Sequence, residues 1–243
     1  MPDQRRHRGP HPEDLRLFAP ACWPILQQAT ADLCWLASRG YPRSSAVKLV
    51  GDRYGLVARQ RIAVARSACS ETERAERQAR RVAPNAVAGR PLWLDGYNVL
   101  TTVEAALAGG IILAARDGAY RDMASMHGSF RRVAETQPAL ELLGSHCADL
   151  KVAQCIWCLD RPVSNSGRLR KLMTELAAAR GWRWQVELVA DPDRLLTAAQ
   201  PAGAVVASAD SVVLDRCGPW FNLARETIVR HVADARVVDL AGE

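Results

Sequence analysis

The sequence predicts an α/β fold that is preceded by a small all-helical domain. Two observations lead to this prediction. Residues 1–90 carry apolar side chains at helical spacing and lack the alternation typical of strands. From Pro91 onward, short apolar runs alternate with helical segments, as in a sheet covered by helices. The content of 49% hydrophobic and 24% charged residues is that of an ordinary globular protein rather than a disordered chain.

The first domain is predicted over residues 1–83, followed by a linker over residues 84–90. Its predicted helices are 12–18, 24–40, 44–55, 56–69 and 70–83. The last begins with Ser70 and Glu73, which have the spacing of a capping box. Residues 44–69 fit either a DNA-reading helix-turn-helix or, as the pattern favours, an antiparallel pair in a small bundle.

The second domain is predicted over residues 91–243. Its predicted strands are 91–95, 110–115, 152–160, 182–190, 204–210 and 236–240. Its predicted helices are 101–109, 128–146, 166–181 and 221–234.

The net charge differs between the two predicted domains, on either side of residue 90. Residues 1–90 contain 16 Lys and Arg against 8 Asp and Glu, a net charge of +8, whereas the remainder has 16 against 18, or −2. Nearly all the basic residues are arginine, which pairs well with phosphate. We therefore predict that the helical domain attracts nucleic acid. The alternative is that genomic base composition explains the arginine excess.

Several classes of protein are disfavoured. The longest apolar run, residues 105–115, is too short and too rich in glycine to cross a bilayer. The basic N-terminus is not followed by the apolar segment of a secretory signal. Seven scattered cysteines fit reduced core thiols, and Cys155 and Cys158 lack the second ligand pair of a zinc site. We therefore predict a cytoplasmic protein without a membrane partner; homo-oligomerisation is left open.

Three aspartates each follow an apolar strand: Asp95, Asp160 and Asp210. Because ligands bind at the carboxyl ends of the strands in open α/β sheets, we expect these side chains to converge there. Clustered carboxylates repel each other, and their natural partner is a hard cation such as Mg²⁺ or Mn²⁺. The alternative for each aspartate is that it only caps the following helix.

Four other acids are weaker candidates. Asp215 is a further metal ligand by this reasoning, unless it simply pairs with Arg216. Glu104 follows the first strand and is either another acid of the site or a solvated surface charge. Asp117 and Asp122 are weaker still.

A polar loop after Asp160 predicts phosphate binding, because hydroxyls, arginines and the amides of a helix N-terminus can hold an anion. Asn165 or Ser166 capping that helix is the alternative. Basic residues 116–132 can track a nucleic-acid backbone. There, His127 suits a polar contact better than a catalytic base. The predicted phosphate contacts are Arg161, Ser164, Asn165, Ser166, Gly167, Arg168 and Arg121.

The segments "WLDGYNVL" and "SADSVVLD", together with the strand-end Asp160, resemble the motifs of PIN-like nucleases, in particular the NYN branch. The resemblance covers about residues 91–240. It implies a three-layer α/β sandwich with a mostly parallel sheet and one or two Mg²⁺ or Mn²⁺ ions. It also matches Asn98 to the asparagine of the family signature and the three strand-end aspartates to its acidic positions.

The whole chain also resembles a prokaryotic family that pairs a small helical domain with such a domain. The loop at residues 161–167 and the insertion at residues 109–123 depart from general PIN features.

These observations predict a Mg²⁺- or Mn²⁺-dependent nuclease that hydrolyses phosphodiester bonds, with RNA favoured over DNA as the substrate. The metal, held by Asp95, Asp160 and Asp210, would activate a water molecule and stabilise the leaving oxygen. One alternative is a non-catalytic nucleic-acid-binding or regulatory module whose acidic cluster is structural. Another is an enzyme that acts on a small phosphorylated metabolite.

Overall fold

The computed structural model describes residues 7–123, 130–198 and 201–242. It confirms an α/β fold with a helical N-terminal region. That region contains α1 (Asp14–Leu17), α2 (Trp23–Ser38), α3 (Arg43–Arg53), α4 (Ala58–Ser67) and α5 (Glu71–Arg80), with a 3₁₀ turn at Pro20–Cys22. The capping box at the start of α5 is present, with the Glu73 amide donating to Ser70 Oγ over 3.2 Å. No helix of the described ranges is long and apolar enough to cross a membrane.

The remainder alternates strands and helices, and its elements follow in chain order. They are β1 (Pro91–Asp95), α6 (Gly96–Leu107), β2 (Ile111–Ala114), β3 (Tyr120–Asp122), α7 (Thr136–Asp149), β4 (Gln154–Asp160), α8 (Ser166–Arg180), β5 (Trp184–Val189), α9 (Pro192–Thr197), β6 (Val205–Ala207), α10 (Ser211–Arg216), α11 (Leu223–His231) and β7 (Arg236–Asp239).

Four of these strands form a parallel sheet in the order β5-β4-β1-β6. In chain order, β4 lies beside β1 and β5 lies beside β4, whereas the last strand, β6, lies on the other side of β1. The order therefore reverses between β1 and β6. Such a switch point is where ligands bind in open α/β sheets, at the carboxyl ends of the strands.

The other three strands form a separate mixed sheet in the order β3-β2-β7. The sequence did not predict β3, nor that β2 and β7 would leave the main sheet. Strand β3 pairs antiparallel with β2 after a tight connection in which Gly118 has a φ of +79°. Only glycine adopts such a φ without strain, so this residue permits the turn.

The N-terminal helices pack on this second sheet. Leu26 and Leu33 of α2 belong to one buried cluster with Ile111 and Leu113 of β2. The predicted linker is also packed, because Pro84–Val87 forms a 3₁₀ turn whose Val87 is buried. The helical region and the α/β region thus share apolar core.

Several element boundaries differ from the predictions. Helix α6 begins at Gly96 rather than at residue 101, immediately after β1. A Cβ atom at Gly96 would lie 2.6 Å from Leu159 Cδ2 and 2.8 Å from the Cys158 carbonyl oxygen, so glycine allows this close start. Helix α7 begins at Thr136 rather than at residue 128, which lies outside the described residues. The short helices α9 and α10 were not predicted, because six residues give too little periodicity.

Candidate functional site

A cavity of about 890 Å³ opens at the carboxyl ends of the parallel strands. We call it the acidic cavity, because aspartates that follow all four strands line it. Its acidic residues are Asp95, Asp122, Asp160, Asp191, Asp193 and Asp210. The structure therefore brings Asp95, Asp160 and Asp210 to one end of the sheet, where their sequence pattern predicted them.

The centre of the cavity lies at the switch point between β1 and β6. Asp95 ends β1 and accepts a hydrogen bond from Ser208 Oγ over 2.8 Å. Ser208 Oγ in turn accepts from the Asp210 amide over 2.9 Å. Asn98 Oδ1 accepts from the Ala209 amide over 2.8 Å. These bonds fix the loop after β6 against the start of α6 and hold Asp95 and Asp210 near each other.

The carboxyl group of Asp95 is strongly perturbed. Its pKa is raised to about 7, chiefly by burial; the hydrogen bond from Ser208 lowers the pKa, and the charges of Asp210 and Asp193 raise it. The pKa of Asp193 is also raised, by burial and then by its acidic neighbours Asp210, Asp191 and Asp160. The acidic cavity therefore brings together carboxyl groups that raise one another's pKa values.

Asp160 has a carboxylate oxygen without a partner. Its Oδ1 is buried and receives no hydrogen bond from the residues that the structure describes. Burial and the charge of Asp191 raise its pKa. A buried acceptor that lacks a donor costs free energy, so this atom is suited to a ligand.

Two of the cavity aspartates also cap helices, which the alternative interpretation expected for Asp210. Asp210 Oδ1 accepts from the amides of Val212 at 2.7 Å and Val213 at 3.3 Å, at the start of α10. Asp191 Oδ1 accepts from the Arg194 amide over 2.9 Å at the start of α9. These two aspartates therefore cap a helix and line the cavity at the same time.

The acidic cavity offers carboxylate donors but, among the described residues, no compact set of metal ligands. Across 7–123, 130–198 and 201–242, no three or more His, Cys, Asp or Glu residues are grouped closely enough to hold a metal ion. The donors themselves are carboxylate oxygens, the ligands that Mg²⁺ and Mn²⁺ prefer. With the unpartnered oxygen of Asp160, the residues fit a hard cation by their chemistry.

The N-terminal helices supply another wall of the acidic cavity. Arg43 of α3 and Ile62 and Arg66 of α4 line it. Arg66 Nη1 donates to the Asp122 carbonyl oxygen over 2.5 Å and lies 3.8 Å from Asp122 Oδ1. The site is therefore formed by both regions of the chain, with arginines beside carboxylates.

The structure places two of the other predicted acids outside the cavity, in ion pairs with arginines. Asp117 pairs with Arg77 and Arg121, each over 2.6 Å. Although burial acts to raise its pKa, these arginines hold it below its usual range. Asp215 also pairs with Arg77 over 2.6 Å, rather than with Arg216 as the sequence had suggested.

Glu104 is likewise not the solvated surface charge of the alternative interpretation. It is fully buried between α6 and α7, where it pairs with Arg8 and accepts from Thr136 Oγ1 over 2.6 Å. Asp122 does line the cavity, where the hydroxyl of Thr102 donates to it over 3.0 Å.

Two of the predicted phosphate-binding arginines contact the protein instead. Arg121 lines the acidic cavity, but its Nε donates to the Ala209 carbonyl oxygen over 2.7 Å, which supports the loop after β6. Arg161 donates to the Leu188 carbonyl oxygen over 2.9 Å. His127 lies outside the described residues.

The predicted phosphate loop does not line the acidic cavity. Asn165 and Arg168 line a second cavity of about 330 Å³ together with Phe130, Arg131, Arg132, Leu169 and Leu172. Ser164, Ser166 and Gly167 lie in the same loop and helix start, and line neither cavity. Ser166 Oγ donates to the Arg161 carbonyl oxygen over 3.4 Å rather than capping α8.

Sequence reasoning missed Asp191, Asp193 and Ser208. The two aspartates follow the predicted strand at residues 182–190, so the pattern that identified Asp95 also applied to them. Ser208 had no comparable signal, because a serine in a loop is common and its partner Asp95 lies 113 positions away.

Comparisons with known proteins give two families and one relative. Residues 84–226 match the domain of unknown function DUF5616, and residues 25–80 match the protein family of unknown function DUF434. A relative from Methanocaldococcus jannaschii, "Uncharacterized protein MJ0935", is 28% identical over 189 residues, which cover 78% of this chain and 88% of the relative. No solved structure matches. None of these names a PIN or NYN nuclease, so that resemblance stays a prediction.

Proposed function

The chain belongs to the DUF5616 family, and we propose that it is a Mg²⁺- or Mn²⁺-dependent nuclease that hydrolyses phosphodiester bonds in RNA. The observation that carries this proposal is the convergence of aspartates from the ends of four parallel strands on one cavity, without neutralising partners for Asp95, Asp160 and Asp193 in the described part of the chain. Acids in a cleft whose pKa values are raised by their surroundings, as for the buried Asp95, are typical of functional sites.

Asp95, Asp160 and Asp210 are the residues that would hold the cation. A bound Mg²⁺ or Mn²⁺ supplies charge that stabilises the phosphoryl oxygens and lowers the pKa of a coordinated water molecule. The raised pKa of Asp95 means that this carboxyl group carries a proton for part of the time near pH 7. A metal ion would compete with that proton for the carboxyl group. The occupancy of the metal site should therefore rise with pH through the neutral range.

Other residues of the chain position these acids. Ser208 and Asn98 join the two sides of the switch point, and Arg121 holds the Ala209 carbonyl. Arg43 and Arg66, on the wall formed by α3 and α4, are suited to attract the phosphates of a substrate. The net charge of +8 in residues 1–90 adds attraction that does not depend on sequence.

We also place the protein in the cytoplasm. All seven cysteines are unpaired thiols and six are buried, as suits a reducing compartment.

The second candidate is a nucleic-acid-binding module without catalytic activity. Two observations favour it: the capping bonds of Asp210 and Asp191, and the lack of a closely grouped ligand set in the described part of the chain. Under this alternative the protein binds RNA but does not cleave it, with or without a metal ion.

Cleavage assays separate the two candidates. Single-stranded and structured RNA are incubated with Mn²⁺, Mg²⁺ or a chelator, using wild type, Asp95→Asn and the control Asp234→Asn, which changes an exposed aspartate outside the cavity. We expect metal-dependent cleavage that Asp95→Asn lowers on the order of 10³-fold and the control leaves unchanged. Activity that survives chelation or the Asp95 substitution would contradict the proposal. No cleavage of any RNA by wild type would favour the binding module.

A further inference from the structure

The second cavity differs from the acidic cavity in charge. Three arginines line it, Arg131, Arg132 and Arg168, and we call it the arginine cavity. Among the described residues none of the three takes part in a salt bridge; Arg132 has one hydrogen bond, to Gln137 Oε1 over 3.4 Å. Most other arginines near the main site are paired, as Arg77 and Arg121 are with Asp117.

The walls of the arginine cavity are held together by hydrogen bonds. The Phe130 amide donates to the Ser164 carbonyl oxygen over 3.0 Å, and Asn165 Nδ2 donates to the Phe130 carbonyl oxygen over 3.1 Å. These bonds join the segment of Arg131 and Arg132 to the start of α8, where Arg168 lies. Hydrogen-bonded backbone therefore brings the three arginine positions together at one cavity.

The two cavities are neighbours along one short loop. Pro162 and Val163 line the acidic cavity, whereas Asn165 and Arg168 line the arginine cavity. Val163 and Asn165 are two residues apart, so their Cα atoms are separated by at most ~7 Å. A single strand of nucleic acid carries a phosphate on every nucleotide, so one strand presents successive anions along its length.

We propose that the arginine cavity binds a backbone phosphate of a single-stranded RNA whose scissile phosphate lies at the acidic cavity; this inference rests on the proposed function above. The opposite charges of the two cavities give them different tasks. Guanidinium groups hold the phosphate directly, as forks of donors suited to its oxygens. The acidic cavity repels phosphate unless a cation is present. The arginine cavity thus retains the strand without metal and sets its position for cleavage.

The test measures RNA binding by the full-length protein with a chelator present, so that no cleavage occurs. Fluorescence anisotropy of a labelled single-stranded RNA is followed over a series of salt concentrations. The variant is Arg168→Ala, and the matched control is Arg170→Ala, an exposed arginine of the same helix that lines neither cavity. Thermal melts of both variants check that the fold is kept.

We expect Arg168→Ala to weaken binding about tenfold and to reduce the salt slope by about 0.7, the share of one phosphate contact on a single strand. Arg132→Ala should act in the same direction, and Arg170→Ala should leave both quantities unchanged. Equal losses in Arg168→Ala and Arg170→Ala, or none in either, would overturn the inference.

Cleavage at saturating RNA distinguishes the two proposals. If Arg168→Ala binds RNA like wild type while wild type cleaves with Mn²⁺, the proposal that the arginine cavity binds phosphate is wrong, and the nuclease proposal stands. If wild type binds RNA through Arg168 but does not cleave, the phosphate site stands and the nuclease proposal is wrong.

Discussion

Asp95 and Asp117 are both buried aspartates, with exposed fractions of 9% and 1%. Their electrostatic environments are opposite. Asp117 lies between Arg77 and Arg121 and also accepts from the Ala119 amide over 3.0 Å. Asp95 faces Asp210 and Asp193, with a serine hydroxyl as its side-chain donor. The pKa of the first is lowered although burial opposes this, and the pKa of the second is raised to about 7.

The difference separates an acid that holds the fold together from an acid that is available for chemistry. Asp117 and its arginines join α5 of the helical region to the loop after β6, through Arg121 and the Ala209 carbonyl. Removing one partner from that network leaves a buried charge. Removing the charge of Asp95 instead relieves repulsion. The following predictions test this contrast.

The largest effect is expected from Arg77→Met, which removes the guanidinium group that Asp117 and Asp215 share. Breaking a buried ion pair should lower the free energy of unfolding by about 3–5 kcal/mol, because Asp117 keeps only Arg121. Asp215→Asn is the control; its side chain is 33% exposed, so water can compensate and the loss should be smaller. Chemical denaturation measures both. A loss no larger in Arg77→Met than in Asp215→Asn would contradict the structural role.

Asp95→Asn should have the opposite sign in metal-free protein. The pKa of Asp95 is about 7 when folded and near 3.8 when unfolded, so the folded state holds its proton more tightly. As pH rises from about 4 to 7, the folded state therefore loses stability relative to the unfolded state. This penalty on folding is complete above pH 7 and absent below pH 4. Asp95→Asn removes it, which should stabilise the protein by up to about 4 kcal/mol above pH 7.

Thermal melts in chelator between pH 4.5 and 8 check this, with Asp234→Asn as control. We expect the stabilities of wild type and Asp95→Asn to converge as pH falls. A difference between them that does not change with pH would mean that the carboxyl group has an ordinary pKa in the folded protein.

A cation should narrow the difference in stability between those two proteins. Mn²⁺ at about 100 times its dissociation constant should stabilise wild type by about 2.7 kcal/mol and Asp95→Asn much less. Because protons compete for the same carboxylates, the gain should shrink below pH 7. Melts with Mn²⁺, Mg²⁺ and chelator measure it. Equal shifts in wild type and Asp95→Asn would place the metal elsewhere.

The contrast between the two aspartates shows what the sequence could reveal. A buried strand that ends in an acid is a local pattern, so Asp95, Asp160 and Asp210 were predicted at the carboxyl ends of their strands. The partners of Asp117 lie 40 and 4 residues away, in an unpredicted arrangement that β3 creates. Whether a carboxylate is compensated depends on such distant arginines. This is why Asp117 and Glu104 were candidates for the site although both are structural.

The smallest effect is expected from Ser208→Ala, which removes the hydroxyl group between Asp95 and the Asp210 amide. Loss of these bonds should cost about 1–2 kcal/mol of stability at low pH, where Asp95 is protonated. The hydrogen bond from Ser208 lowers the pKa of Asp95, so the pKa of this carboxyl should rise further in the variant. The pH at which the loss of stability relative to Asp95→Asn is complete should therefore be higher in Ser208→Ala than in wild type. If Ser208→Ala moved that pH downward or not at all, burial alone would set the charge of Asp95, and the serine would serve only to join the loops.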